Sequence, residues 1–225
     1  MFVRTKGGEY RVDSASVLLD FLGLKEHEQL KMKNEECGKR IGVTADVELI
    51  APAPFRLSAA ESGDSNAVAW TFSTFDLDRF GERIDPAGWD YKRYTGNPVV
   101  EWAHRYDIPA IGRADGLYAD ETGLHGVIMF NGKDYDPFGW SIGERVKAGV
   151  IRAGSVGFRV IEIELPDKET AKDGTTLIFR KQELLEFSIC NVPANPFALM
   201  KDVAGREQAA GSHDFWGNFI KMNNE

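Results

Sequence analysis

The sequence predicts a mostly β protein of the α+β class: a small closed or curled barrel behind a helical N-terminal extension. Three observations predict it. From Val68 onward the chain breaks into short runs of aromatic, β-branched and small residues separated by Gly, Pro, Asp and Asn turns. Only one segment of that region, "DPFGWSIGERVKAG", carries a complete helix signature. Ahead of it, "SASVLLDFLGLKEHEQLKMKN" has helical rather than strand spacing.

In chain order, Ser14 or Ser16 is the candidate N-cap of the first helix. Val17, Leu18, Phe21 and Leu22 give its apolar face, and Gly23 gives its stop. The charged stretch 25–36 predicts a second helix. "GVTADVELIAPAPF" predicts a short strand broken by proline. The small, polar "SAAESGDSN" at 58–66 reads as a linker. The organisation is therefore a helical extension over 1–66, a core over 67–200 and a tail over 201–225.

Within the core, "AVAWTFSTF" and "NPVVEWAH" are strands on either side of the turn-rich "DLDRFGERIDPAGW". "IPAIGRADGLYADETGLHGVIMF" reads as two or three strands with Asp-Gly and Thr-Gly turns. In the helix that follows, Asp136 is the cap, Pro137 suits the first turn and Gly149 ends it. Ile142 and Val146 stand four apart on the buried face. "SVGFRVIEIEL" and "TTLIFRKQELLEFSICNV" are two long strands joined by "PDKETAKDG". "ANPFALMKDVAG" is a short helix, and the last residues carry no pattern.

Composition narrows the function. The chain has 225 residues, 43% apolar and 28% charged, which is ordinary for a globular domain that buries its own core. A net charge of −8 argues against a polyanion as primary ligand, since nucleic-acid binding needs a dense cationic patch. The two cysteines, Cys37 and Cys190, make neither a disulfide framework nor a zinc motif, so a reducing compartment is expected. No apolar signal region opens the chain, and no stretch approaches a bilayer span. These features together predict a soluble intracellular protein with no cofactor, no metal and no membrane partner.

The candidate chemistry starts from "IRAGSVGFRV", where Ser155 stands between Gly154 and Gly157. The glycines clear space for a substrate backbone beside the hydroxyl, and their flexibility suits N–H groups aimed at an oxyanion. A loop-ending serine is the competing reading. "GSVGF" is not the G-x-S-x-G elbow of the α/β-hydrolases.

A serine nucleophile needs a base, and the chain has four histidines. His27 lies in a charged stretch, His213 in the unpatterned tail, and His125 in a strand where a surface role fits. His104 ends the strand "VVEWAH", where side chains from separate strands converge; a histidine satisfying a nearby carbonyl is the alternative. In "LLEFSICNV" the period of two sets Leu185, Phe187 and Ile189 on one face and Glu186, Ser188 and Cys190 on the other. Glu186 between two apolar neighbours calls for a partner, and an imidazole N–H would serve. A solvent-facing glutamate fits the same pattern.

The ordered series "WAH", "IGRADG", "ERVKAG", "GSVGF" and "LLEFSICNVPANPFA" resembles the tailed-phage prohead (capsid maturation) serine proteases. "DRFGERIDPAGW" resembles that family's Asp-rich turn before the histidine strand. The resemblance runs from about Ser73 to Leu199 and implies a fold similar to that of the herpesvirus assemblins. It implies that His104 is the general base, Ser155 the nucleophile and Glu186 the group that orients the histidine, with Asp107 as the fallback orienter.

The resemblance also implies a serine endopeptidase that cuts the scaffold, or the scaffolding segment of the major capsid protein, and itself. It would self-associate and act in the host cytoplasm within the procapsid, or in the cytoplasm of a bacterium carrying the prophage, without binding nucleic acid directly. Residues 1–66 would then be a propeptide or an assembly arm. Three rivals remain at this point. One is a catalytically silent assembly protein with the same fold. Another is a metal-dependent hydrolase using Asp76, Asp78, Asp85 and His104, for which no ligand motif speaks. The last is a Cys190 nucleophile, disfavoured because Glu186 lies on the same strand face.

Overall fold

The computed structural model describes residues 2–5, 8–12, 15–24, 40–43, 45, 48–53, 66–78 and 80–191. The segment 25–36, most of the 58–66 linker, His27, Cys37, His213, the "ANPFALMKDVAG" helix and the tail lie outside the described residues. Among the described residues, no helix is long and apolar enough to cross a membrane.

Two long strands form the spine. β11 (Ala153–Glu164) and β12 (Leu177–Cys190) pair antiparallel along most of their length. Both are rich in Val, Ile and Phe; β12 is buried along most of its length, and β11 through its first six residues. Each is long enough to take several partners. β11 pairs with β4 (Glu48–Ala53) over its first half and with β3 (Arg40–Gly42) near its end. β12 runs parallel to three short strands in turn: β6 (Glu82–Ile84), β7 (Trp89–Asp90) and β8 (Val99–Trp102).

β1 (Phe2–Thr5), β2 (Gly8–Arg11), β5 (Ala67–Ser73), β9 (Gly112–Asp120) and β10 (Gly123–Phe130) complete one 12-stranded sheet. Its main path is β2-β1-β4-β11-β12-β8-β9-β10-β5. The ends of that path, β2 and β5, do not pair with each other, so of the closed or curled barrel that the sequence predicts, the closed form does not hold. The segment before residue 67 also differs from expectation. It supplies four strands to the sheet and only one short helix among its described residues. Its "ELIAPA" run pairs on both sides, which makes extended backbone the way to satisfy its hydrogen-bonding groups.

That helix, α1 (Ala15–Phe21), ends as predicted. Gly23 N–H donates to the Asp20 carbonyl and Leu24 N–H to that of Leu19, a Schellman stop. Its buried face is Leu18, Leu19 and Leu22, with Phe21 packed on Tyr10 at 5.3 Å; Val17, expected on that face, is exposed. Ser16 lies inside the helix and is not its cap. α2 (Pro137–Lys147) matches its prediction throughout. Asp136 accepts from Gly139 N–H at 2.9 Å, and Ile142 and Val146 are buried.

The Thr-Gly turn joins β9 to β10, tied down by Asp120. The Asp-Gly pair at 115–116 does not turn. It sits inside β9 at a register shift, with Gly116 at φ +58° absorbing the bulge. The core between the layers is aromatic. Phe187 packs on Phe72 at 4.3 Å and on Trp70 at 5.8 Å, and Phe158 sits edge-on between Trp89 and Phe179.

Candidate active site

The β11–β12 register brings Ser155, Ser188 and Glu186 to one face. Ser155 stands directly opposite Ser188, and Gly157 opposite Glu186. Opposed residues of an antiparallel pair share a face, with Cβ atoms about 4.5–5.5 Å apart. All three polar side chains are buried. The alternation predicted for "LLEFSIC" holds for Glu186, Phe187, Ser188 and Ile189 but not for Leu185. A register shift after Gly157 skips Leu185, leaving it half-buried while Leu184 takes the core position.

β8 delivers His104 to the same face. Its strand ends at Trp102, and the chain turns through Ala103 (φ +52°) and His104 (φ +59°), both left-handed. Such backbone costs on the order of 1–3 kcal/mol per non-glycine residue, so the surroundings must hold it. Ala103 N–H donates to the Ile189 carbonyl at 2.8 Å, and Arg105 N–H to that of Trp102 at 3.0 Å. His104 N–H donates to Ser188 Oγ at 3.0 Å, and Ser188 Oγ donates to Glu186 Oε2 at 2.8 Å. The imidazole completes the arrangement, with Nδ1 2.5 Å from Glu186 Oε1.

The two glycines that flank Ser155 also meet a packing requirement that the sequence does not suggest. A Cβ on Gly157 would lie 2.5 Å from Glu186 Oε1 and 2.9 Å from Glu48 Oε1. A Cβ on Gly154 would lie 2.3 Å from the Phe187 ring. Gly157 makes room for the carboxylate, and Gly154 for the core aromatic behind it.

Several titratable groups surround Glu186. Glu101 is buried in register with Ser188; burial and then the Glu186 charge push its carboxyl up. Burial and then Glu186 likewise push up the hydroxyl of the buried Tyr94. Tyr94 donates to the Val99 carbonyl at 2.7 Å, and Tyr106 to Glu48 Oε1 at 2.7 Å.

The other candidates go elsewhere. Asp107 pairs with Arg105 on the surface and makes no contact with His104 among those described, so the fallback orienter has another partner. His125 links Thr122 and Asp120 of the β9–β10 hairpin to Thr71 of β5. Asp76 accepts from Thr74, Asp78 from the Phe80 and Glu82 amides, and Asp85 from Ala87 N–H and Arg180. Among the described residues, no group of three or more His, Cys, Asp or Glu is placed to hold a metal ion. Cys190 is buried.

Sequence reasoning assigned no role to Ser188, although the period of two put it on the face of Glu186. It also missed Arg4, Glu48 and Tyr106, which no local signal connects to His104.

A family model described as caudovirus prohead serine protease matches residues 57–211, more than half of the chain. Among curated proteins, none matches. Among solved structures, the bacteriophage T4 capsid assembly protease, gp21, is similar at 13% identity with a TM-score of 0.41, over 65% of this chain and 98% of that one. On the extent of the family match, the chain belongs to the caudovirus prohead serine proteases, the proteases of phage capsid maturation.

Proposed function

We propose that this protein is a serine endopeptidase of phage head maturation that works through an acyl-enzyme, with Ser155 as nucleophile, His104 as general base and Glu186 as the orienting acid. The observation that carries the reading is the 2.5 Å contact between His104 Nδ1 and Glu186 Oε1, on the strand lying opposite Ser155. A carboxylate on Nδ1 keeps the proton there and leaves the Nε2 lone pair for the serine. Nε2 takes the hydroxyl proton as Ser155 Oγ attacks the peptide carbonyl carbon. Collapse of the tetrahedral intermediate returns that proton to the leaving amine. Water, activated by the same nitrogen, then hydrolyses the ester.

Backbone N–H groups within 152–157 supply the oxyanion donors. Gly154 to Gly157 are flanked by β4 and β12, which commits their amides to the sheet, so the donors narrow to Arg152 and Ala153. The substrates we assign are capsid-associated: the scaffold or scaffolding segment of the capsid protein, and the protease itself. We also assign it self-association and work inside the procapsid, in the host cytoplasm, a reading that the family membership supports.

The test is intact mass over time for the purified chain beside Ser155→Ala. Fragments that appear only in the wild type support the reading and give the cleavage specificity. Identical trimming of both chains sinks the nucleophile assignment. If neither is cut, the same pair is co-assembled with its capsid protein, and an uncut capsid protein there ends the proposal.

A further inference from the structure

Arg4 of β1 reaches the histidine turn from a hundred residues away. Arg4 stands opposite Glu48 in the β1–β4 register, and Glu48 stands opposite Arg159 of the nucleophile strand β11. The Arg4 guanidinium lies 3.4 Å from both Glu48 carboxylate oxygens and donates to the His104 carbonyl oxygen at 3.3 Å. It also lies over the Tyr106 ring, 4.3 Å from its centroid. Glu48 Oε1 accepts from the Tyr106 hydroxyl at 2.7 Å, so one carboxylate aims both groups that grip the turn.

We infer that Arg4 is a positioning residue for His104, which makes the N-terminal strands a working part of the catalytic unit. It rests on the reading of His104 as the base. The physical reason is the left-handed turn. His104 at φ +59° presents its imidazole to Glu186 only while its peptide unit keeps that orientation. Ser188 fixes the N–H side of the residue and Arg4 fixes the C=O side. The cation over Tyr106 then pins the chain two residues further on. Neither grip is available to a chain that lacks β1, so loss of the first strands lowers activity and does not release it.

The test uses the full chain carrying Arg4→Met, with Arg4→Lys beside it. Two readouts are needed besides a melting curve. One is the rate of Ser155 labelling by a fluorophosphonate. The other is the downfield proton resonance of His104 Nδ1–H, assigned by its loss in His104→Ala. We expect Arg4→Met to slow labelling about 10- to 100-fold, the scale for a slight misplacement of a reacting group, and to shift or broaden the His104 proton. Arg4→Lys, with one donor left for the carbonyl, recovers part of both.

A folded Arg4→Met that labels at the wild-type rate with an unchanged His104 proton overturns the inference. If Arg4→Met does not fold, Glu48→Gln takes its place; it removes the charge that aims Arg4, and a wild-type rate and proton in that variant overturn the inference equally. If the wild type itself is not labelled, the nucleophile assignment fails on its own, and the His104 proton still decides the role of Arg4.

Discussion

Gly157→Ala tests the proposed site at its tightest point. The added Cβ would sit 2.5 Å from Glu186 Oε1, 2.8 Å from its Cγ and 2.9 Å from Glu48 Oε1. All three atoms belong to carboxylate side chains, and the Oε1 atom is the one that meets His104 Nδ1. Restoring ordinary contact moves the Glu186 carboxylate by about 1 Å, and a shift of that size at a reacting group costs on the order of 100-fold. That loss corresponds to about 2.7 kcal/mol of transition-state stabilisation. Overpacking at a buried strand position adds a stability loss of about 1–3 kcal/mol.

The assay is the fluorophosphonate labelling rate, normalised to the folded fraction from a urea melt at the same pH. Gly154→Ala is the comparison. Its Cβ would strike the Phe187 ring at 2.3 Å, on the core side of the sheet and away from the carboxylate. We expect Gly154→Ala to lower stability with the smaller effect on labelling per folded molecule, and Gly157→Ala to lower labelling most. Full labelling by folded Gly157→Ala would refute the argument that this glycine exists to admit Glu186.

Other outcomes follow from the same geometry. Ser155→Ala or His104→Ala lowers turnover on the order of 10⁶-fold if the three groups act as a unit, read as capsid-protein cleavage per hour. Glu186→Gln loses about 10⁴-fold by favouring the wrong tautomer, whereas Asp107→Asn, whose partner is Arg105, leaves cleavage unchanged. Ser188→Ala removes one acceptor from His104 N–H and one buried donor to Glu186 Oε2. It lowers stability by about 1–3 kcal/mol in denaturant melts and slows labelling. Glu82 is buried, and burial followed by the Asp78 charge pushes its carboxyl well above the usual range. An acid raised in the folded state contributes stability that is present below its unfolded pKa and fades as pH rises through the folded one. Urea midpoints should therefore fall less from pH 5 to pH 8 in Glu82→Gln than in the wild type; an equal fall would refute this.

How much was legible depended on how local each cause was. The α2 helix was readable in full, because its cap, its first-turn proline and its buried pair lie within one short stretch. The β11 and β12 strands were readable from their runs of Val, Ile and Phe. Leu185 was misplaced because a bulge depends on two strands and leaves no mark in either alone. The Asp115-Gly116 pair was read as a turn because glycine at positive φ serves a bulge and a turn equally well. Val17 looked like core by spacing, but which arc of α1 is covered depends on what packs against it.

The sequence alone carried the mostly β class and the family-like order of motifs, and that resemblance named Ser155, His104 and Glu186 as the candidates for nucleophile, base and acid. It did so because hydrophobic period, turn chemistry and short motifs act within a few residues. Tertiary structure alone decided that β1, β2, β3 and β4 join the central sheet, that Gly157 makes room for Glu186, and that Arg4 and Ser188 hold the two sides of the His104 peptide. These are contacts between strands far apart in the chain. Strand pairing fixes them through register, and register is a property of two strands brought together, not of either one alone.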